Sequence, residues 1–250
     1  MYDTALRPRS ITEIVDAAFH LLRERYVAFV TAGAVVLSPV ILLHALLPSG
    51  DAAFARLLAN FLYGLFDAAV IVLVSDAYLG RPADVPGALR EVAARAGRLF
   101  GASFLRGVLV LLAALLFVIP GLIVLALTFA APMVVMLEDP DDATMALRRS
   151  RELVRGDLLR VTGTVVLAFV VLLVLVIVAS VPLGLLEGVL GSGPRVLGVT
   201  NELVVLLVYP LVSVVGTLLY YDLRIRKEGF DLEMMARELG VEGARSAPVV

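Results

Sequence analysis

The sequence predicts an all-α polytopic membrane protein with six transmembrane helices, and three observations carry that prediction. The 250 residues are 60% hydrophobic and only 18% charged, which is more apolar surface than the interior of a soluble domain of this size can hide. The apolar residues gather into blocks of about twenty, the length a helix needs to cross roughly 30 Å of hydrocarbon at about 1.5 Å per residue. Between the blocks lie short polar segments in which arginine is distributed unequally.

Six blocks read as spans, at residues 26–47, 57–78, 99–119, 121–137, 161–186 and 203–221. The first is too long for a cleaved signal peptide and follows a charged segment of some twenty-five residues, so it is expected to remain in the mature chain. Lysine and arginine set the orientation, because short basic loops stay on the cytoplasmic side. Arg7, Arg9, Arg23 and Arg25 precede the first span; Arg81, Arg90, Arg95 and Arg98 follow the second; Arg148, Arg149, Arg151, Arg155 and Arg160 follow the fourth; Arg224, Arg226, Lys227, Arg237 and Arg245 follow the sixth. Only Arg56 and Arg195 fall in the opposite segments. Both termini are therefore expected in the cytoplasm. The other side is expected to carry only short connections: residues 48–56, a bare Pro120-Gly121 turn, and a glycine-rich stretch over residues 188–200.

A short amphipathic helix is expected before each odd-numbered span, at residues 10–25, 85–98 and 143–155. In the first, Ser10 and Glu13 form a capping-box pattern and Ile11, Ile14, Val15, Ala18 and Leu22 share one face, which predicts a helix lying along the headgroups. In the third, Asp142 is the expected N-cap and Gly156 the C-cap. This is the layout of three parallel helix–hairpin repeats, and also the alternation that any even-spanning chain with both ends inside displays. A fourth helix is expected at residues 231–239, and residues 241–250 read as a disordered tail. Residues 1–240 form one membrane domain on this reading.

Charges within hydrocarbon are the best functional hints. Asp67 sits near the middle of span two and Arg106 about two turns into span three, at depths within roughly 6 Å of each other at 1.5 Å per residue. An Asp67–Arg106 pair between adjacent spans is expected, with Asn60 two turns away on the same face of its helix. Such a pair suits a polar pathway, a lipid-headgroup or proton site, or the packing of one hairpin on another. Pro39, Pro132, Pro182 and Pro210 each interrupt a span. Gly97 with Gly101, and Gly184 with Gly188, are small-xxx-small pairs that permit close helix approach or dimerisation. Ser38, Ser103, Ser180, Ser213 and Thr217 are expected to bond within their own helices, and His44 to sit at an interface.

Chemistry is sparse. The chain has no cysteine and two histidines, which removes thiolate and iron–sulfur chemistry and leaves little for a transition metal. No serine has a histidine or lysine placed to activate it, no nucleotide motif is present, and no basic stretch suits nucleic acid. No cofactor is expected. Glu138, Asp139, Asp141 and Asp142 cluster at the inner end of span four, where helix capping beside an arginine-rich helix is favoured over metal binding. Arg148, Arg149, Arg151, Arg155 and Arg160 form the expected interaction surface, for anionic headgroups at about 1 kcal/mol each or for an acidic partner. Arginine supplies every basic residue except Lys227, a usage that points to a GC-rich bacterial genome.

Three stretches also carry a resemblance: residues 6–19 (LRPRSITEIVDAAF), 146–156 (ALRRSRELVRG) and 219–233 (LYYDLRIRKEGFDLE). In order and spacing they resemble the glycerophosphoryl diester phosphodiesterase membrane-domain family, bacterial six-span proteins. The resemblance implies the six-span fold. It does not imply the phosphodiesterase activity, which belongs to a metal-dependent barrel fused to some members. That barrel needs paired histidines and carboxylates, whereas this chain has only His20 and His44. The expected role is a non-enzymatic scaffold or accessory protein of the bacterial inner membrane, joined by lipids, a membrane-protein partner or a second copy. The competing expectation is a transporter or lipid-handling protein using Asp67, Asn60 and Arg106.

Overall fold

Helix is the only regular structure among the residues that the computed structural model describes, which are 9–46, 52–191 and 194–229. The segments are α1 (Ile11–Leu46), α2 (Ala52–Tyr78), α3 (Val85–Leu116), α4 (Val118–Leu127), α5 (Ala131–Leu137), α6 (Ala143–Val154), α7 (Leu158–Leu190), α8 (Pro194–Val208) and α9 (Pro210–Glu228). Six stretches are long and apolar enough to cross a membrane: Ile11–Leu46, Leu57–Tyr78, Val85–Leu116, Val118–Leu137, Leu158–Leu190 and Gly198–Glu228. The chain is a polytopic α-helical membrane protein. The helix expected at residues 231–239 and the tail at 241–250 lie outside the described residues.

Two of the three expected amphipathic helices are not separate elements. Residues 11–46 form one helix and residues 85–116 another, because nothing between Leu22 and Val27, or between Arg98 and Leu99, breaks the backbone hydrogen-bond ladder. The first still begins with the expected capping box, since the Glu13 N–H meets the Ser10 hydroxyl at 3.3 Å and the Ser10 N–H meets the Glu13 carboxylate at 2.7 Å. Its apolar face does not lie on headgroups. Ile14, Ala17, Ala18 and Leu21 are buried in the bundle. The third amphipathic helix is separate as expected. Asp142 accepts from the Met145 N–H at 2.8 Å, and Gly156 takes a φ of +96° that no other residue adopts cheaply, so the chain turns there into α7.

The reversal between spans three and four falls at Phe117, whose extended backbone separates α3 from α4. It precedes the expected Pro120-Gly121 turn because Pro120 is accommodated in the first turn of α4, where its missing N–H costs nothing. On the same side of the bundle α7 runs on to Leu190 and α8 begins at Pro194, so most of the glycine-rich stretch is helical. Pro132 and Pro210 do interrupt their spans, at Thr128–Ala130 and at Tyr209. Pro39 and Pro182 sit inside continuous helices.

The core is built from alternate spans. More than half of the most apolar window of spans two, four and six is buried, against 11% in spans three and five. Spans one, two and six meet where Gly33 leaves no room for a side chain: a Cβ there would lie 2.6 Å from the Phe66 ring. The tightest approach between helices is made at Gly33; of the expected pairs, a Cβ on Gly101 would meet Ala143 at 3.4 Å, while one on Gly97, Gly184 or Gly188 would meet open space within the bundle.

Candidate functional site

The arginine-rich ends of the spans converge on one network, with Asp222 of α9 at its centre. Asp222 is 2% exposed and accepts from the Arg9 N–H at 2.6 Å, Arg160 at 2.7 Å and Arg226 at 2.9 Å. Arg160 and Arg226 also donate to the Arg9 carbonyl, so the segment before α1, the start of α7 and the end of α9 are tied together by one carboxylate. A second knot forms around Arg149 of α6, which binds Glu138 at 2.7 Å and Glu228 at 2.5 Å. Tyr220 donates to the other Glu138 oxygen at 2.7 Å. Burial alone would push the Arg149 guanidinium down, but its bonds to Glu138 and the charge of Glu228 outweigh this and hold it above its ordinary value.

The α6 helix is also pinned from below by Ser150, which is fully buried. At the break in span four its hydroxyl receives the Ala130 N–H at 3.1 Å and donates to the Leu127 carbonyl at 2.9 Å. Those are backbone groups left over by Pro132, which water cannot reach within a membrane. Residues from all three resemblance-bearing stretches therefore meet at this end: Arg9, then Arg149, Ser150 and Arg155, then Tyr220, Asp222, Lys227 and Glu228. Lys227 completes the junction by donating to the Arg155 carbonyl and pairing with Asp157 at 3.4 Å.

The five arginines expected as one interaction surface divide accordingly. Arg149 and Arg160 face inward and are paired, whereas Arg148, Arg151 and Arg155 stay exposed. Arg148 makes a long contact of 3.8 Å with Glu152. The neighbouring acidic cluster is dispersed among other tasks. Asp139 binds Arg95 at 3.0 Å and Arg98 at 2.6 Å, contacts that offset its positive φ of 52°, while Asp142 caps α6 and Glu138 serves Arg149. The arginine bonds hold the Asp139 carboxyl below its ordinary value, and the Met145 N–H does the same for Asp142. Among the described residues no three histidines or carboxylates are grouped to hold a metal.

Within the membrane, Asp67 and Arg106 sense one another's charge without sharing a direct hydrogen bond or ion pair among the described residues. Asp67 accepts instead from the Ser213 hydroxyl of α9, so Ser213 does not bond within its own helix as expected. Ser38 and Thr217 do, donating to Val35 and Ser213 carbonyls at 2.8 Å. Asn60 lies on an exposed face of α2.

Two further acids, Glu187 and Glu202, are 8% and 3% exposed at the opposite end of the bundle. Both fall just outside the spans expected at residues 161–186 and 203–221, because α7 and α8 extend beyond those bounds. Thr200 donates to Glu187 at 2.5 Å and Tyr63 to Glu202 at 2.6 Å. His44 stands 3.8 Å from the other Glu202 oxygen, and its Nδ1 and Glu187 Oε2 are buried without a hydrogen-bond partner among the described residues.

Compared with protein-family models, with curated proteins and with solved structures, the chain matches none. The site must be interpreted from its own geometry.

Proposed function

We propose that the protein is a non-enzymatic scaffold or accessory subunit of the bacterial cytoplasmic membrane, with both termini cytoplasmic, presenting a basic face to anionic headgroups and to a membrane-protein partner. One observation carries this reading: after Arg149 and Arg160 are consumed internally, Arg148, Arg151 and Arg155 remain exposed around a helix whose other face is locked into the bundle. A rigid platform costs little conformational entropy on binding. The family resemblance supports the same reading, because its three stretches supply the residues of the platform. Native mass spectrometry of protein extracted gently from its own membrane tests it. A stoichiometric protein that is lost when the three exposed arginines become glutamate is the expected result; a bare chain, or a partner indifferent to them, contradicts it.

The second reading is transport or lipid handling through Asp67, Asn60 and Arg106. It rests on Arg106, a half-buried cation inside a span with no hydrogen bond among the described residues. A retained lipid or solute, lost on Arg106→Gln, is the outcome that selects it.

A further inference from the structure

One face of α9 carries hydroxyl groups at every fourth position: Tyr209, Ser213, Thr217 and Tyr221. Steps of four residues keep side chains on one helix face, and here that face packs against α2, which contributes Tyr63, Asp67 and Ser75. Three pairs along it are hydrogen-bonded side chain to side chain. Tyr63 donates to Glu202 at 2.6 Å, the Tyr63 and Tyr209 rings stack with centroids 6.2 Å apart, and Ser213 donates to Asp67. Thr217 donates to the Ser213 carbonyl at 2.8 Å, and the Tyr221 and Ser75 hydroxyls meet at 2.6 Å. Glu202, Ser213, Thr217 and Tyr221 are all at least 97% buried. From Glu202 to Tyr221 the seam climbs roughly 28 Å at 1.5 Å per residue, about the thickness of the hydrocarbon layer. Packing alone does not require polar groups along that whole length, since each must be desolvated within the membrane.

We propose that this seam is a proton relay across the membrane, entered at His44 and Glu202 and passing Asp67 at mid-depth. The proposal goes beyond the scaffold reading and stands or falls independently of it. A proton arriving at the unpartnered His44 Nδ1 passes to the Glu202 carboxylate. The Tyr63, Tyr209, Ser213, Ser75 and Tyr221 hydroxyls each accept one proton and release their own, and Asp67 takes up and gives up a proton between Tyr209 and Ser213, while Thr217, whose proton is held by the Ser213 carbonyl, only lines the seam. Every side chain ends with the proton count it began with, so the net event is the movement of one proton down its gradient with no redox change. The relay requires water beside the stacked tyrosines and between Ser213 and Ser75, each water spanning about one helical turn, 5.4 Å, through two hydrogen bonds. The charged and titratable groups facing the relay include Arg106 from α3 and Tyr209 beside Asp67, His44 from α1 with Tyr63 from α2 beside Glu202, and Asp76, Arg81 and Arg224 beside Tyr221.

The test uses the full chain reconstituted into liposomes of neutral lipid enclosing a pH-sensitive dye, with a potassium gradient and valinomycin to drive proton entry. The relay predicts acidification faster than in protein-free vesicles, reduced to the protein-free rate by Asp67→Asn and by Glu202→Gln. Tyr63→Phe and Ser213→Ala each remove a single oxygen, and they are expected to slow the flux even if the carboxyl variants fail to fold. Acidification at the protein-free rate by the parent protein, or a flux unchanged in Tyr63→Phe and Ser213→Ala, overturns the proposal.

Discussion

The two ends of the bundle hold buried charge in opposite ways. At the arginine-rich end the carboxylates are well supplied with donors, the buried Asp222 receiving three bonds and the half-buried Glu138 two, although Arg160 Nε is buried without a partner among the described residues. At the other end Glu187 keeps one oxygen without a partner and His44 stops 3.8 Å short of Glu202. Saturated charges fix geometry, whereas unsatisfied ones retain capacity for a proton, a water or a ligand. The difference teaches that substitutions at the two ends should fail in different ways.

The largest loss should follow Asp222→Ala. It strands Arg160 and Arg226 at a junction where three chain segments meet, a loss of about 3 kcal/mol, visible as a lowered melting temperature in detergent. Asp222→Asn keeps an acceptor and should lose less. Ser150→Ala ranks next, at about 2 kcal/mol, because the Ala130 N–H and Leu127 carbonyl lose their partner inside the fold. Hydrogen exchange at Ala130 should rise with it. An unchanged melting temperature in both variants would dissolve the contrast between the ends.

A smaller effect comes from Asp139 and Asp142, whose carboxyls sit below the ordinary value of 3.8 in the folded protein. A depressed folded value means stability fully present above pH 3.8 and lost as the pH falls through the lower folded value. A melting curve followed from pH 5 downward should show that loss, and Asp139→Asn should flatten part of it. Smallest of all, Arg148→Ala, Arg151→Ala and Arg155→Ala should each change stability by no more than about 0.5 kcal/mol, since these side chains are exposed.

The six spans were legible because a run of some twenty apolar residues has few fates other than the bilayer. The caps at Ser10 and Asp142 were legible because capping chemistry is local. The continuity of α1 and α3 was not. Amphipathic and apolar segments differ in composition, but composition does not break a helix. The division of the five arginines also depended on contacts more than sixty residues apart, as between Arg160 and Asp222. Asp222 lay in a stretch singled out for its resemblance, yet no spacing rule identifies it as the acceptor of three donors. Glu202 was concealed by the assumption that glycines after residue 188 end the helices, and Ser150 by the exposure expected of a helix on headgroups.

The proposed platform at the arginine-rich end is expected to face the cytoplasm. The chain contains no cysteine, so Arg151→Cys creates a single reporter at an exposed position of α6. Labelling intact cells with a membrane-impermeant maleimide should leave that cysteine unmodified until the membrane is permeabilised, and then modify it fully. Full modification in intact cells would place the basic face on the opposite side and contradict the account.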